Sequence, residues 1–119
     1  MEIEKIAQRL IFFCKNYRYF DAHEELYWLE AESFEPGEGP GEGTKGVRNI
    51  EKKWEQFQNM FHPGSVEIGE PIFAGNFFSL SVIQQVTLRE TGQPLTLGQI
   101  AVLEVLDGKI AKEWFYYSK

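Results

Sequence analysis

The chain has one cysteine, Cys14, and two histidines, His23 and His62. A lone thiol cannot close a disulfide within the chain, which fits a reducing compartment. Two histidines and one thiol, far apart in sequence, do not make a set of zinc ligands, so no metal site is expected. Long apolar runs are also missing. The longest, Leu10 to Cys14, is far too short to cross a bilayer. Met1 is followed by Glu2, Ile3 and Glu4, not by a basic and then apolar stretch. No signal peptide is expected, and the protein reads as cytoplasmic. Positive charge is scarce: 12 Lys+Arg against 18 Asp+Glu leave a net charge of −6. Without a basic stripe, neither nucleic acid nor an anionic membrane is an expected partner. There is no nucleophile motif, phosphate loop or dinucleotide fingerprint. Gly37-Glu38-Gly39-Pro40-Gly41 is glycine-rich, but it is acidic and lacks the following Lys-Ser/Thr. No cofactor is expected.

Aromatic rings are abundant: ten Phe, five Tyr and three Trp. A chain of 119 residues fits one domain, 1–119, and can bury that many rings only in a well-developed core or an interface. Ile3, Ile6, Ala7, Leu10, Ile11, Phe13, Cys14 and Tyr17 form one stripe, which predicts an amphipathic helix over residues 2–17. Asp21 is a candidate cap for a second, short helix carrying Ala22, Leu26, Tyr27 and Leu29, with Trp28 near its end. Ser33-Phe34-Glu35 reads as a short strand. Residues 36–46, rich in glycine and proline, read as a loop, either a flap over a pocket mouth or a plain connection. Val47, Ile50, Trp54, Phe57 and Phe61 define a third helix, with Pro63-Gly64 as its stop.

The second half changes period. Val66 and Ile68 alternate, and Gly75-Asn76 is a plausible turn. Long strands follow over 77–90 and 95–106, Asp107-Gly108 is a strong hairpin signal, and 109–117 is the last strand. Three helices followed by an antiparallel meander indicate an α+β fold with the helices on one sheet face.

With Gly92-Gln93 as a two-residue turn, Val86 faces Gln99 and Gln84 faces Ala101. One face then carries Leu80, Val82, Gln84, Val86, Leu88, Leu97, Gln99, Ala101, Leu103 and Val105. Gln84 and Gln99 become diagonal neighbours, about 7–8 Å apart, on an apolar wall. They are either the polar contacts of a pocket floor, with small Ala101 leaving space, or two amides satisfied by each other, by water or by a helix end. The opposite face, with Ile83, Ile100 and Val102, suits a subunit interface. The same logic places Ile110, Lys112, Trp114 and Tyr116 on the pocket side. Lys112 fits poorly there, and a bulge would reverse part of this strand.

Glu35 precedes the loop and could act as a general base if buried, although a solvated carboxylate is the plainer reading. His62 is a candidate proton shuttle or a helix-terminal imidazole. Trp28, Trp54 and Trp114 are candidate pocket walls and equally candidate core.

Two local signatures resemble the SnoaL-like branch of the NTF2-like superfamily. One is Ser33-Phe34-Glu35-Pro36, then a Gly-rich loop, then Gly46-Val47-Arg48-Asn49-Ile50. The other is Val105-Leu106-Asp107-Gly108-Lys109-Ile110 followed by Glu113-Trp114-Phe115-Tyr116. His62, Gly69 and Pro71 match in addition, and the resemblance covers nearly the whole chain. It implies a cone of three N-terminal helices packed on a curved, mainly antiparallel sheet, with an internal pocket and a homodimer through the convex sheet face. The implied function is binding of a small, largely apolar molecule. SnoaL-like cyclases use an aspartate where this chain has Ala101. Glu35-Pro36 resembles the Asp-Pro pair of ketosteroid isomerases, whose tyrosine and second aspartate fall near Leu10 and near Ile100 or Ala101 here. The alternatives are therefore an isomerase or cyclase using Glu35 as base, or a dimeric interaction module with an idle cavity.

Overall fold

The computed structural model describes residues 1–118. The chain opens with α1 (Ile3–Lys15), which buries Ile6, Ala7, Leu10 and Phe13, and α2 (Tyr19–Leu26). Asp21 does not cap α2. The helix begins two residues earlier, because Tyr19, Ala22, His23 and Leu26 form its buried stripe. Asp21 instead accepts a hydrogen bond from Arg18 at 2.7 Å. Residues expected at the helix end belong to a strand, β1 (Tyr27–Phe34), which continues through the predicted short strand. The β-prone run Tyr27-Trp28-Leu29 suits this state better than the last turn of a helix. A two-residue strand, β2 (Thr44–Lys45), leads through Gly46 at φ 90° into α3 (Val47–Met60).

Pro63-Gly64 does not terminate α3. Both residues lie inside β3 (Phe61–Ile68), at a break in its pairing with β5 between Pro63 and Val66. β3 ends the sheet path, where a proline without N–H is tolerated. Gly64 lies close against the Gln85 backbone, and a side chain there would collide with it. Then come β4 (Ile72–Ala74), β5 (Phe77–Leu88), β6 (Pro94–Leu106) and β7 (Lys109–Tyr116).

The strands form one seven-stranded sheet in the order β2-β1-β7-β6-β5-β3, with β4 on β5. It is mixed: β1 pairs with β7 in parallel, and the other pairs are antiparallel. The architecture is thus α+β, but two helices precede the strands and the third follows β1 and β2.

The β5–β6 register differs from the expected one. Val86 pairs with Leu95, Gln84 with Leu97, Val82 with Gln99 and Leu80 with Ala101. The turn is a longer loop closed by the Gly92 N–H donating to Leu88 O at 2.7 Å, with Gly92 at φ 75°. The slip is an even number of residues, so no side chain changes face. Gln84 and Gln99 stay diagonal neighbours, across the other diagonal.

In the β6–β7 hairpin Asp107 (φ 48°) and Gly108 (φ 81°) are both left-handed, as a tight hairpin turn demands. The register then jumps: Val105 pairs with Ile110, but Glu104 pairs with Lys112. Ala111 is the extra residue of a bulge. Beyond it Glu113 and Phe115 lie opposite Leu103 and Ala101 on the inner face, and Lys112, Trp114 and Tyr116 turn outward. The core lies between α1, α2 and this inner face, with Phe78, Leu80, Leu103 and Ile110 at its centre.

Candidate functional site

The helices and the inner sheet face enclose a funnel. Its bottom is a chamber of about 40 Å³, walled by Leu10, Cys14, Tyr19, Ala22, His23, Tyr27, Leu80, Val82, Ala101, Leu103 and Glu113. Above it opens a vestibule of about 860 Å³, lined by Glu35, Lys53, Gln56, Phe57, Met60, Phe61, Thr96, Leu97 and Tyr117 among others. Trp54, Gln84, Gln99 and Phe115 line both spaces and form the throat between them.

The throat is built on aromatic packing. Trp54 stacks on Tyr19 with centroids 4.2 Å apart, and Phe57 and Phe115 meet it edge-on at 6.1 and 6.4 Å. Gln84, 7% exposed, donates through Nε2 to the Tyr19 hydroxyl at 3.2 Å. Ala101 is buried beside it and keeps the chamber open.

Glu35 sits at the rim rather than inside. Its Oε1 is 3.2 Å from Lys53 Nζ, and its Oε2 accepts from the Tyr117 hydroxyl at 2.9 Å. Lys53 also donates to Ser33 Oγ at 3.1 Å.

Two expected wall residues, Trp28 and Trp114, and the candidate proton shuttle His62 lie elsewhere. Trp28 donates through Nε1 to Leu106 O at 2.7 Å, with Lys109 Nζ 5.3 Å from its ring centroid, and so fastens β1 to the β6–β7 hairpin. Trp114 is on the outer face, stacked on Phe34 at 5.6 Å, because the bulge at Ala111 reversed the strand. His62 is exposed on the edge strand β3, with its Nδ1 2.9 Å from Arg89 Nη1. The loop over 36–46 contributes no wall residue to either space, and its Gly43 is seated against Phe34.

The chamber's chemistry comes from residues not singled out in the sequence. Glu113 is 2% exposed. Its Oε1 accepts a hydrogen bond from the Tyr27 hydroxyl, and its Oε2 has no partner among the described residues. Burial raises its carboxyl above the usual range, while Tyr27, Ser33 and the Lys53 charge pull the other way. Burial also raises the Tyr27 hydroxyl well above the usual phenol range. His23 is 3% exposed and edge-on to Tyr27 at 4.9 Å, and its Nδ1 lacks a partner among the described residues. Burial pushes its imidazole down to about 4, so it is neutral at neutral pH. The signal for Glu113 was the misfit of Lys112. The signal for His23 was its spacing with Tyr19, Ala22 and Leu26. Among the described residues no cluster of three or more His, Cys, Asp or Glu could hold a metal, and no helix is long and apolar enough to cross a membrane.

Comparison with known proteins agrees with this geometry at the level of the fold. The family model of the SnoaL-like domain matches residues 1–117. A crystal structure of a candidate SnoaL-like polyketide cyclase from Mesorhizobium loti is 27% identical, covers 98% of this chain and 100% of its own, and superposes with a TM-score of 0.86. A candidate isomerase from Bacillus subtilis is 18% identical over 96% of this chain and 84% of its own, with a TM-score of 0.74. A Catenulispora acidiphila protein of ketosteroid isomerase-like fold, solved with trimethylamine, is 15% identical over 82% of this chain and 72% of its own, with a TM-score of 0.68. No curated protein matches the chain.

Proposed function

The chain belongs to the SnoaL-like domain family, and from that premise we propose that it binds a small, largely apolar molecule in the funnel. The throat carries this reading. Two aromatic rings and two carboxamides join a roomy vestibule to a small chamber, the usual construction of a small-molecule site. The vestibule accommodates a body of bicyclic size. The chamber admits only about three water-sized atoms, since a single water needs about 10–15 Å³ of such volume.

The test is to fill the chamber from its small wall residue. Ala101→Leu should weaken binding of a neutral bicyclic ketone, 2-acetylnaphthalene, by at least about tenfold in calorimetry. The fold should survive, because overpacking of this kind costs about 1–3 kcal/mol. Unchanged affinity in a folded variant refutes the reading.

Use of Glu35 as a general base draws less support, because both its oxygens are already engaged by Lys53 and Tyr117. The outer sheet face supports a homodimer, with Ile83 and Ile100 exposed at 43% and 51%. Unpaired Cys14 suits work in the cytoplasm.

A further inference from the structure

Glu113 is the deepest acidic group of the funnel. The titratable groups of the chamber are Cys14 on α1, Tyr19 and His23 on α2 and Tyr27 on β1, while β5 and β6 line it with uncharged side chains; from the rim the charges of Lys53 on α3 and Glu35 just past β1 also act on Glu113. Burial pushes the Cys14 thiol up to about 12, and both tyrosines are raised as well. Together with neutral His23, these groups leave Lys53, on the rim side, as the only positive charge acting on the carboxyl among the described residues.

We propose that Glu113, steadied by Tyr27 on Oε1, hydrogen-bonds through its free Oε2 to the acceptor oxygen of an uncharged carbonyl compound seated in the funnel. This rests on the pocket reading above and names its ligand class. The Tyr27 hydroxyl donates to Oε1, the Ser33 hydroxyl is near enough to the carboxyl to favour its charged form, and Oε2 is the buried oxygen without a partner among the described residues, so in the acid form the proton sits on Oε2. A carbonyl oxygen reaching the chamber accepts that proton's hydrogen bond. Neutral His23, in the tautomer protonated at Nδ1, is a second donor lining the chamber, from α2. Both orphaned polar atoms would then be satisfied by one ligand atom, which is how buried polar groups are normally accommodated. A carboxylate ligand would bring a negative charge to a chamber that offers it no cation among the described residues. An ammonium ligand would require Glu113 to be ionised.

Three probes on one skeleton test this: 2-acetylnaphthalene, 2-naphthoate and 2-naphthylmethylammonium, titrated into the full chain at pH 7. The ketone should bind more tightly than either ion by about tenfold or more, the worth of one net hydrogen bond. Its affinity should fall as pH rises and Glu113 loses its proton. In Glu113→Gln the amide can still donate but cannot titrate, so that pH dependence should vanish. An infrared difference spectrum checks the acid without any ligand. The wild type should show a protonated carboxyl C=O stretch at neutral pH that is missing in Glu113→Gln. No such band, or preference for the ammonium probe, overturns the inference. Equal binding of all three overturns the inference and leaves the pocket standing. Binding of none overturns both.

Discussion

Replacing His23 by Gln should flatten the acid limb of the stability curve. The imidazole is 3% exposed, and burial holds it at about 4 against an ordinary 6.5. In the unfolded chain it protonates near 6.5, while in the fold it stays neutral until about pH 4. Between those values the unfolded state binds the extra proton, so stability is lost as pH falls. At 1.36 kcal/mol per unit, the full shift is worth roughly 3 kcal/mol. Glu113 has the opposite sign. Its raised carboxyl keeps its proton longer in the fold than in the unfolded chain, so it favours the fold toward lower pH. The wild-type profile alone mixes the two. Urea unfolding of both proteins at several pH values from 7 to 4 separates them, because Glu113 is present in each and Gln does not titrate. The difference in unfolding free energy, wild type minus His23→Gln, should fall by about 3 kcal/mol over that range. Parallel curves, or an NMR titration of His23 near 6.5, would refute the argument.

Gln99→Leu should weaken binding of 2-acetylnaphthalene several-fold with little change in stability, while Gln84→Leu should also cost about 1 kcal/mol, because it strips Tyr19 of its donor. Equal stability of the two variants in urea would show that the Tyr19 contact contributes nothing. Glu35→Gln breaks a pair whose side chains are 27% and 33% exposed, so the loss should stay below about 1 kcal/mol, and affinity for a neutral ligand should not move. A fall of about 10²-fold or more in any turnover found would instead reinstate Glu35 as a base. On the outer face, Ile100→Glu should convert a dimer to monomer in sedimentation velocity; a wild type that is already monomeric at micromolar concentration removes the interface.

The inner face of β5 and β6 was legible in the sequence even though its turn was misplaced. Strand side chains repeat every two residues, and the true loop shifts the pairing by an even number, so Gln84, Gln99 and Ala101 keep their side. β7 was not legible. One extra residue at Ala111 inverts everything after it, exchanging Trp114 for Phe115 and Lys112 for Glu113. A bulge carries no fixed sequence mark, and only a lysine aimed at an apolar wall betrays it. Asp21 and Pro63-Gly64 misled for a related reason. Local cap and stop signals are worth about 1 kcal/mol or so, and the burial of Tyr19, Ala22, His23 and Leu26 outweighs that.

Polarity changes in order along the funnel. At the rim, in contact with water, stand a carboxylate and an ammonium, Glu35 and Lys53, with the Tyr117 hydroxyl. At the throat the polar groups are the uncharged amides Gln84 and Gln99. At the bottom are a carboxyl raised by burial and an imidazole that burial keeps neutral. Each step inward sheds charge, as the rising cost of an unpaired ion away from water demands. The ligand that fits such a gradient carries its polar atom at its leading end, uncharged, and its apolar body behind it against Trp54 and Phe115. Ala101 belongs to the same logic. A carboxylate there, on the strand beside Glu113 and Phe115, would set two acids on one wall of a chamber of about 40 Å³. With the acid on β7 opposite Leu103, the diagonal position on β6, Ala101, stays small and apolar and leaves the chamber its space.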